Sequence, residues 1–207
     1  MRCPWAGFLW TGLHFLAVVT LLGICAGAMS AEIAGSQRRE LTVGVGYTGI
    51  GANSPPGSCG CFFLHGGSAD AGFGLVHGFD GVIQISGTQS GTVPGSLRGL
   101  SMITLMAGPR YTHGIGRLLR MEEHALFGAV RGFDAEFRRG EDATDTMTAT
   151  SMAFGGSLLL PLGRRLFIRV AQVEYLSSWL SNEGNNHQNN IRFGAGFVLR
   201  IGGGLHR

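Results

Sequence analysis

The sequence predicts an all-β fold, an eight-stranded antiparallel transmembrane up-and-down β-barrel, and three observations lead there. First, Asn190 to Gly202 alternates strictly: Ile191, Phe193, Ala195, Phe197, Leu199 and Ile201 share one parity, while Arg192, Gly194, Gly196, Val198, Arg200 and Gly202 share the other. A period of 2 kept over that length is a strand with one apolar face, longer than the roughly 5–6 residues of a globular strand and matched to the ~9–11 tilted residues that cross a bilayer. Second, charged residues make up only 14% of the chain, and glycine supplies 36 of 207 residues. Soluble domains average about 25% charged residues and about 7% glycine, so a hydrated exterior could hardly be assembled from this composition. Third, the connections between strand-like runs alternate long and short, the rhythm of outer-membrane barrels with extracellular loops and periplasmic turns.

Taken in order, residues 1–28 read as a secretory signal peptide. Arg2 supplies the positive n-region, Phe8 to Ile24 the apolar stretch, and Ala26-Gly27-Ala28 a small-x-small cleavage site, which leaves 29–207 as one barrel domain. A retained anchor and a lipoprotein, the latter through Leu22-Gly23-Ile24-Cys25, are the rival readings of that segment. The first strand is expected at Glu40 to Ile50, with Leu41, Val43, Val45 and Tyr47 facing one way, and the second at Ser68 to Val76, with Ala69, Ala71, Phe73 and Leu75 on its apolar parity. Phe79 to Gly87 and Leu100 to Tyr111 follow. In Glu122 to Phe133, Thr148 to Leu160 and Leu166 to Leu176 the alternation is too poor to assign faces. Gln172 and Glu174 share parity with Ile168 and Val170, which calls for a β-bulge in the seventh strand.

With both termini on the periplasmic side, the four long connections, Gly51 to Gly67, Thr88 to Gly99, Asp134 to Met147 and Ser177 to Asn189, are expected outside the cell. The middle turn, Thr112 to Met121, is longer than this pattern expects. An even count of eight is the smallest such barrel, with an interior filled by side chains. After export, no apolar run reaches helix-spanning length, and only a closed barrel could satisfy its backbone within lipid.

Several stretches together resemble a known family. Cys59-Gly-Cys61-Phe with His65-Gly-Gly-Ser68, Ala107-Gly-Pro109-Arg110, Ile168-Arg169 with Gln172-Val-Glu174-Tyr175, and Asn186-His-Gln-Asn189-Asn-Ile-Arg192-Phe-Gly-Ala-Gly are similar to the small OmpA-like outer-membrane β-barrel proteins of the acidobacterial type. The resemblance covers the mature chain and implies eight antiparallel strands in the outer membrane, with no activity attached. The chain departs from that pattern at Glu174-Tyr175, where the family favours Asp-Tyr, and at its end, where Ile201-Gly-Gly-Gly-Leu-His-Arg207 lacks a closing aromatic residue. The partners this implies are outer-membrane lipid and lipopolysaccharide, and the barrel-assembly machinery during insertion. Nothing in the formal net charge of +3 points to nucleic acid.

The residues able to carry chemistry form one informative set, Arg110, Arg169, Glu174, Arg192 and Arg200. If the apolar parity of the last strand faces lipid, Arg192 and Arg200 point inward, because Arg near the midplane of the lipid face costs ~2–4 kcal/mol. Glu174, Asp70 and Asp80 are the acids available to pair with them, giving a structural interior charge network that plugs the lumen. Cys59 and Cys61 are the cysteines left after cleavage. A loop disulfide across a tightly turned Gly60, free or intermolecular thiols, and a metal site with His65 are all open. His113, His124 and His187 read as rim residues; Glu141, Asp142 and Asp145 read as a solvated acidic loop, without the spacing of a calcium loop. Asn185, Asn186, Asn189 and Asn190 read as loop and strand-entry residues.

No catalytic, cofactor or metal site is expected from the sequence. Ser177, Ser178, Ser181, Glu183 and His187 contain the residue types of an acyl hydrolase, but they lie on a Gly- and Asn-rich connection. The leading expectation is an outer-membrane barrel with a structural or surface-interaction role. A narrow pore, a lipid-modifying outer-membrane enzyme and a soluble lipocalin-like barrel are the alternatives; the last needs exterior charges that the chain lacks.

Overall fold

The computed structural model describes residues 40–53, 60–76, 78–94, 98–139, 142–181 and 186–202. Eight strands run in chain order: β1 Leu41–Asn53, β2 Cys61–Val76, β3 Phe79–Ser90, β4 Leu100–Ile115, β5 Leu119–Arg139, β6 Asp142–Pro161, β7 Leu166–Ser178 and β8 Gln188–Ile201. Each pairs antiparallel with its sequence neighbour, and β1 pairs with β8 from Leu41↔Ile201 to Gly51↔Ile191, which closes the barrel. Closure leaves no edge strand, so the wall satisfies its own backbone groups and can sit in a solvent that offers no hydrogen bonds.

The outward face is apolar. Val45, Ile83, Leu105, Phe127, Val173 and Phe197 are all at least half exposed. On β5 the outward parity reads Glu123, Ala125, Phe127, Ala129, Arg131. At ~3.3 Å per residue and a tilt of ~40°, the two charges stand roughly 20 Å apart along the barrel axis, near the ~25 Å apolar band of such barrels. Aromatic side chains ring both ends, as in membrane-spanning barrels. On the loop side Tyr47 Oη lies 2.6 Å from His65 Nδ1, Phe63 meets Phe193 edge-on at 6.2 Å, and Trp179 stacks on His187 at 5.2 Å. On the turn side Phe79 lies 4.7 Å from Tyr111, which stacks on His113 at 5.5 Å.

Strand ends differ from the expected ones in an informative way. The long middle turn is absent: β4 runs to Ile115 and β5 starts at Leu119, so three residues make the reversal, with Gly116 at φ +63°. Likewise β1 continues to Asn53 and β2 begins at Cys61, well inside the segment expected as the first loop. The third connection is largely strand as well, because β5 and β6 pair as far as Arg139↔Asp142. Two extra residues lie between Phe133 and Phe137 relative to β6, and Asp134 takes a left-handed φ of 66°. Irregularities of this kind bend a strand pair. The expected bulge in β7 is present: its register shifts between Arg169 and Gln172 against β8, so Phe167 and Arg169 point inward before it and Gln172, Glu174 and Leu176 after it.

Candidate functional site

Inward-facing side chains fill the lumen in three layers. Nearest the turns, Leu159, Phe167 and Val198 form a small apolar floor. Toward the loops a larger apolar cap includes Ile50, Leu64, Met102, Met106, Leu126, Val130, Leu176 and Leu180. Between floor and cap lies a polar layer to which every strand contributes.

Three arginines organise that layer. Arg110 on β4 reaches Asp80 through Nη2 at 3.0 Å, Asp70 through Nη1 at 3.3 Å, Thr42 Oγ1 at 2.6 Å and Glu122 at 3.4 Å. Arg169 on β7 donates from both terminal nitrogens to the Asp70 carboxylate, at 2.7 and 3.2 Å, and to Gln172 Oε1 at 3.3 Å. Arg192 on β8 pairs through Nε with Glu174, donates to Gln84 Oε1, and reaches Ser86 Oγ at 3.2 Å. Glu174 also accepts from Gln172 and lies 2.7 Å from His124 Nε2. Ser157 on β6 donates to Glu122 at 2.9 Å. Nearly all of these groups are buried, and charges in such a place persist only when paired and hydrogen-bonded. The void among Asp70, Gln84, Arg110, Glu122, His124 and Arg169 is about 10 Å³, at the threshold for one water. Glycine makes the room: a Cβ at Gly44 would fall on the Asp70 carboxylate, and one at Gly72 on the Arg110 guanidinium.

Of the charged residues singled out from the sequence, Arg110, Arg169, Glu174 and Arg192 come together here, and Arg200 does not. Arg200 sits on the turn side of the apolar floor, paired with Glu40 and with its Cζ 4.8 Å from the Phe167 ring centre. It shares the parity of Arg192 and Val198 on β8, but the Leu159, Phe167 and Val198 layer separates it from the buried acids. The reading of His124 as a rim residue is corrected: its side chain is 6% exposed and bonded to Glu174 inside the barrel. Glu122 was likewise not foreseen as a network member. Both follow from the inward parity of β5, Glu122, His124, Leu126, Gly128, Val130, which could be read only once the strand was known to run unbroken from Leu119.

Cys61 is the first residue of β2 rather than a loop residue, and it takes part in a disulfide. Cys59, Glu141, Glu183 and Asn185 lie outside the described residues, as does the expected signal peptide. Asp145 forms an exposed ion pair with Arg98, tying the third connection to the second. Ser177 Oγ lies 2.6 Å from His187 Nε2 and 3.4 Å from Asn189 Oδ1, all where β7 and β8 end on the loop side. Among the described residues, no group of three or more His, Cys, Asp or Glu side chains could hold a metal ion.

A closed eight-stranded wall, apolar outside, ringed by aromatics at both ends and filled by side chains within, defines the class: a transmembrane β-barrel of the small outer-membrane kind. Solved structures bear this out. The chain is similar to Ail, the attachment invasion locus protein of Yersinia pestis, in complex with the heparin analogue sucrose octasulfate. The two share 17% identity and a TM-score of 0.53, over 79% of this chain and 99% of that one. It is similar also to Neisserial surface protein A, NspA, at 11% identity and a TM-score of 0.55, over 78% of this chain and 96% of that one. At these identities the likeness is one of fold. No family model matches the sequence, and no curated protein matches it.

Proposed function

We propose that the protein is an outer-membrane barrel with a structural or surface-interaction role, its lumen closed and its long connections turned outward. The observation that carries this reading is the three-layered interior. Among the described residues, apolar floor, ion-paired middle and apolar cap fill the lumen with side chains, while the β5–β6 hairpin continues beyond the wall as a paired element. A lumen packed with side chains between floor and cap leaves the exterior and the loop-side surface for contact with other macromolecules. Outer-membrane lipid and lipopolysaccharide are the surroundings this reading implies, with the barrel-assembly machinery as the insertion partner.

One observation favours a second reading, a lipid-modifying enzyme: the Ser177–His187 contact at 2.6 Å. A serine so placed could be activated by the imidazole. Against this, Ser177 is 2% exposed and packed against β8, so an ester carbonyl could not reach Oγ without parting the two strands. The pair acts instead as a clamp at the strand ends, with Trp179 stacked on the imidazole.

The test is a cell carrying the chain with residues 134–147 replaced by a short Gly-Ser turn. Expected are an outer-membrane, heat-modifiable band as in the parent, an unchanged lipid A acyl pattern by mass spectrometry, and reduced surface adhesion or envelope robustness. Recovery of the parent protein outside the outer-membrane fraction defeats the reading. An acyl change restored by the intact gene but not by His187→Ala replaces it with the enzyme.

A further inference from the structure

The turn-side mouth of the barrel holds positive charge that the lumen network does not use. Arg120 on β5 and Arg200 on β8 both face inward below the apolar floor, their Cζ atoms 5.2 Å and 4.8 Å from the ring centre of Phe167. Phe167 is 3% exposed, so the ring is a buried platform, and Leu159 and Val198 beside it screen both guanidiniums from Asp70, Glu122 and Glu174 above. Glu40 pairs with Arg200. Arg120 makes no hydrogen bond or ion pair with any described residue, and it lies against the same ring as a second cation. Around this mouth, the turns carry the exposed Arg117, Arg164 and Arg165, and the Arg165 carbonyl accepts the Arg200 backbone N–H at 2.8 Å. Glu40 attracts Arg120 as well as Arg200, but its single negative charge cannot offset two guanidiniums held to one aromatic platform, and their mutual repulsion is relieved fully only by a further anion. Guanidinium groups suit oxyanions because their N–H donors match two oxygens at once.

We infer that the turn-side mouth is an oxyanion site, in which Arg120 and Arg200 above the Phe167 platform bind a phosphate group. The surrounding turn arginines raise the local concentration of such anions without contacting the bound one. The phosphate can be free in solution or part of a phospholipid headgroup in the adjoining leaflet; the site chemistry is the same. Arg200 brings Glu40 with it, so the pair carries one uncompensated charge, suited to a singly charged phosphate diester or dihydrogen phosphate. Nothing in this inference depends on the surface role proposed above.

The experiment uses the folded barrel in octyl glucoside micelles, which contain no phosphate, and follows arginine Nε–Hε resonances by NMR as inorganic phosphate is added. The Arg120 and Arg200 signals should move saturably, while Arg98, on the loop side, should not. Arg120→Gln should weaken the midpoint read on Arg200 at least tenfold. Arg120→Lys, which keeps the charge but not the two-donor geometry, should weaken it less and serves if the Gln variant does not give a heat-modifiable band. Doping the micelles with phosphatidylglycerol separates the sources: loss of the response to soluble phosphate makes the headgroup the occupant, and an unchanged response makes it the free ion, the site standing in either case. No saturable shift, a shift equal at Arg98, or a midpoint indifferent to both Arg120 variants overturns the inference.

Discussion

Glu174 shows at the residue scale what a buried charge requires. Its two carboxylate oxygens face Arg192, His124 and Gln172 in a layer closed above and below by apolar side chains. Removing one partner of such a pair leaves a desolvated charge, which costs about 3–5 kcal/mol, whereas replacing both by apolar groups of similar volume is close to neutral. Glu174→Gln should therefore lower the unfolding free energy by about 3 kcal/mol or more in urea titrations of the reconstituted barrel. The double variant Glu174→Leu, Arg192→Met should recover most of that loss, and a double variant as unstable as the single would show that the pair is not the unit. Gly72 offers a steric counterpart. Because a Cβ there meets Arg110 and Thr42, Gly72→Val should destabilise by about 1–3 kcal/mol through overpacking, measured in the same titration.

At the scale of elements, the β7 bulge decides which side chains reach the lumen. Without the extra residue between Arg169 and Gln172, either Arg169 and Phe167 or Gln172 and Glu174 would turn to lipid. Deleting Val170 should then abolish the heat-modifiable form, because a one-residue slip puts buried charges into hydrocarbon; a normal folded band would mean that the register is fixed elsewhere. Cys61 tests the topology at the same scale. It opens β2 on the loop side, so after mild reduction a membrane-impermeant thiol reagent should label intact cells, and labelling only after outer-membrane rupture would invert the barrel.

For the whole molecule, the three interior layers predict transport behaviour. An apolar cap in series with a void of about 10 Å³ is a barrier to ions and water alike, so planar bilayers holding the purified protein should show no steady conductance. The Glu174→Gln variant should stay silent too, because the cap of Ile50, Leu64, Met106 and Leu126 does not depend on the ion pairs. Large, stable channels in the unaltered protein would contradict a sealed lumen.

The sequence by itself determined the strand count, the lipid-facing parity of β1, β2 and β8, and the bulge in β7. These are local properties: side chains alternate with a period of 2, and a lipid-facing parity opposite a Gly-, Thr- and Arg-bearing one shows that period clearly. In β5 to β7 the contrast fades because the lumen itself is apolar toward the loops. Leu126, Val130, Ala153 and Leu176 point inward while Phe127, Ala129, Phe154 and Val173 point outward, so both parities are apolar and the period disappears. Strand ends on the loop side were lost for the same reason. Only the tertiary structure decided the pairing inside: Arg192 meets Gln84 across 108 positions of sequence, Arg169 meets Asp70 across 99, and Arg200 is held apart from both by Phe167. Parity fixes which face a residue occupies, but the stagger of eight closed strands fixes its height in the lumen, and height chooses its partner.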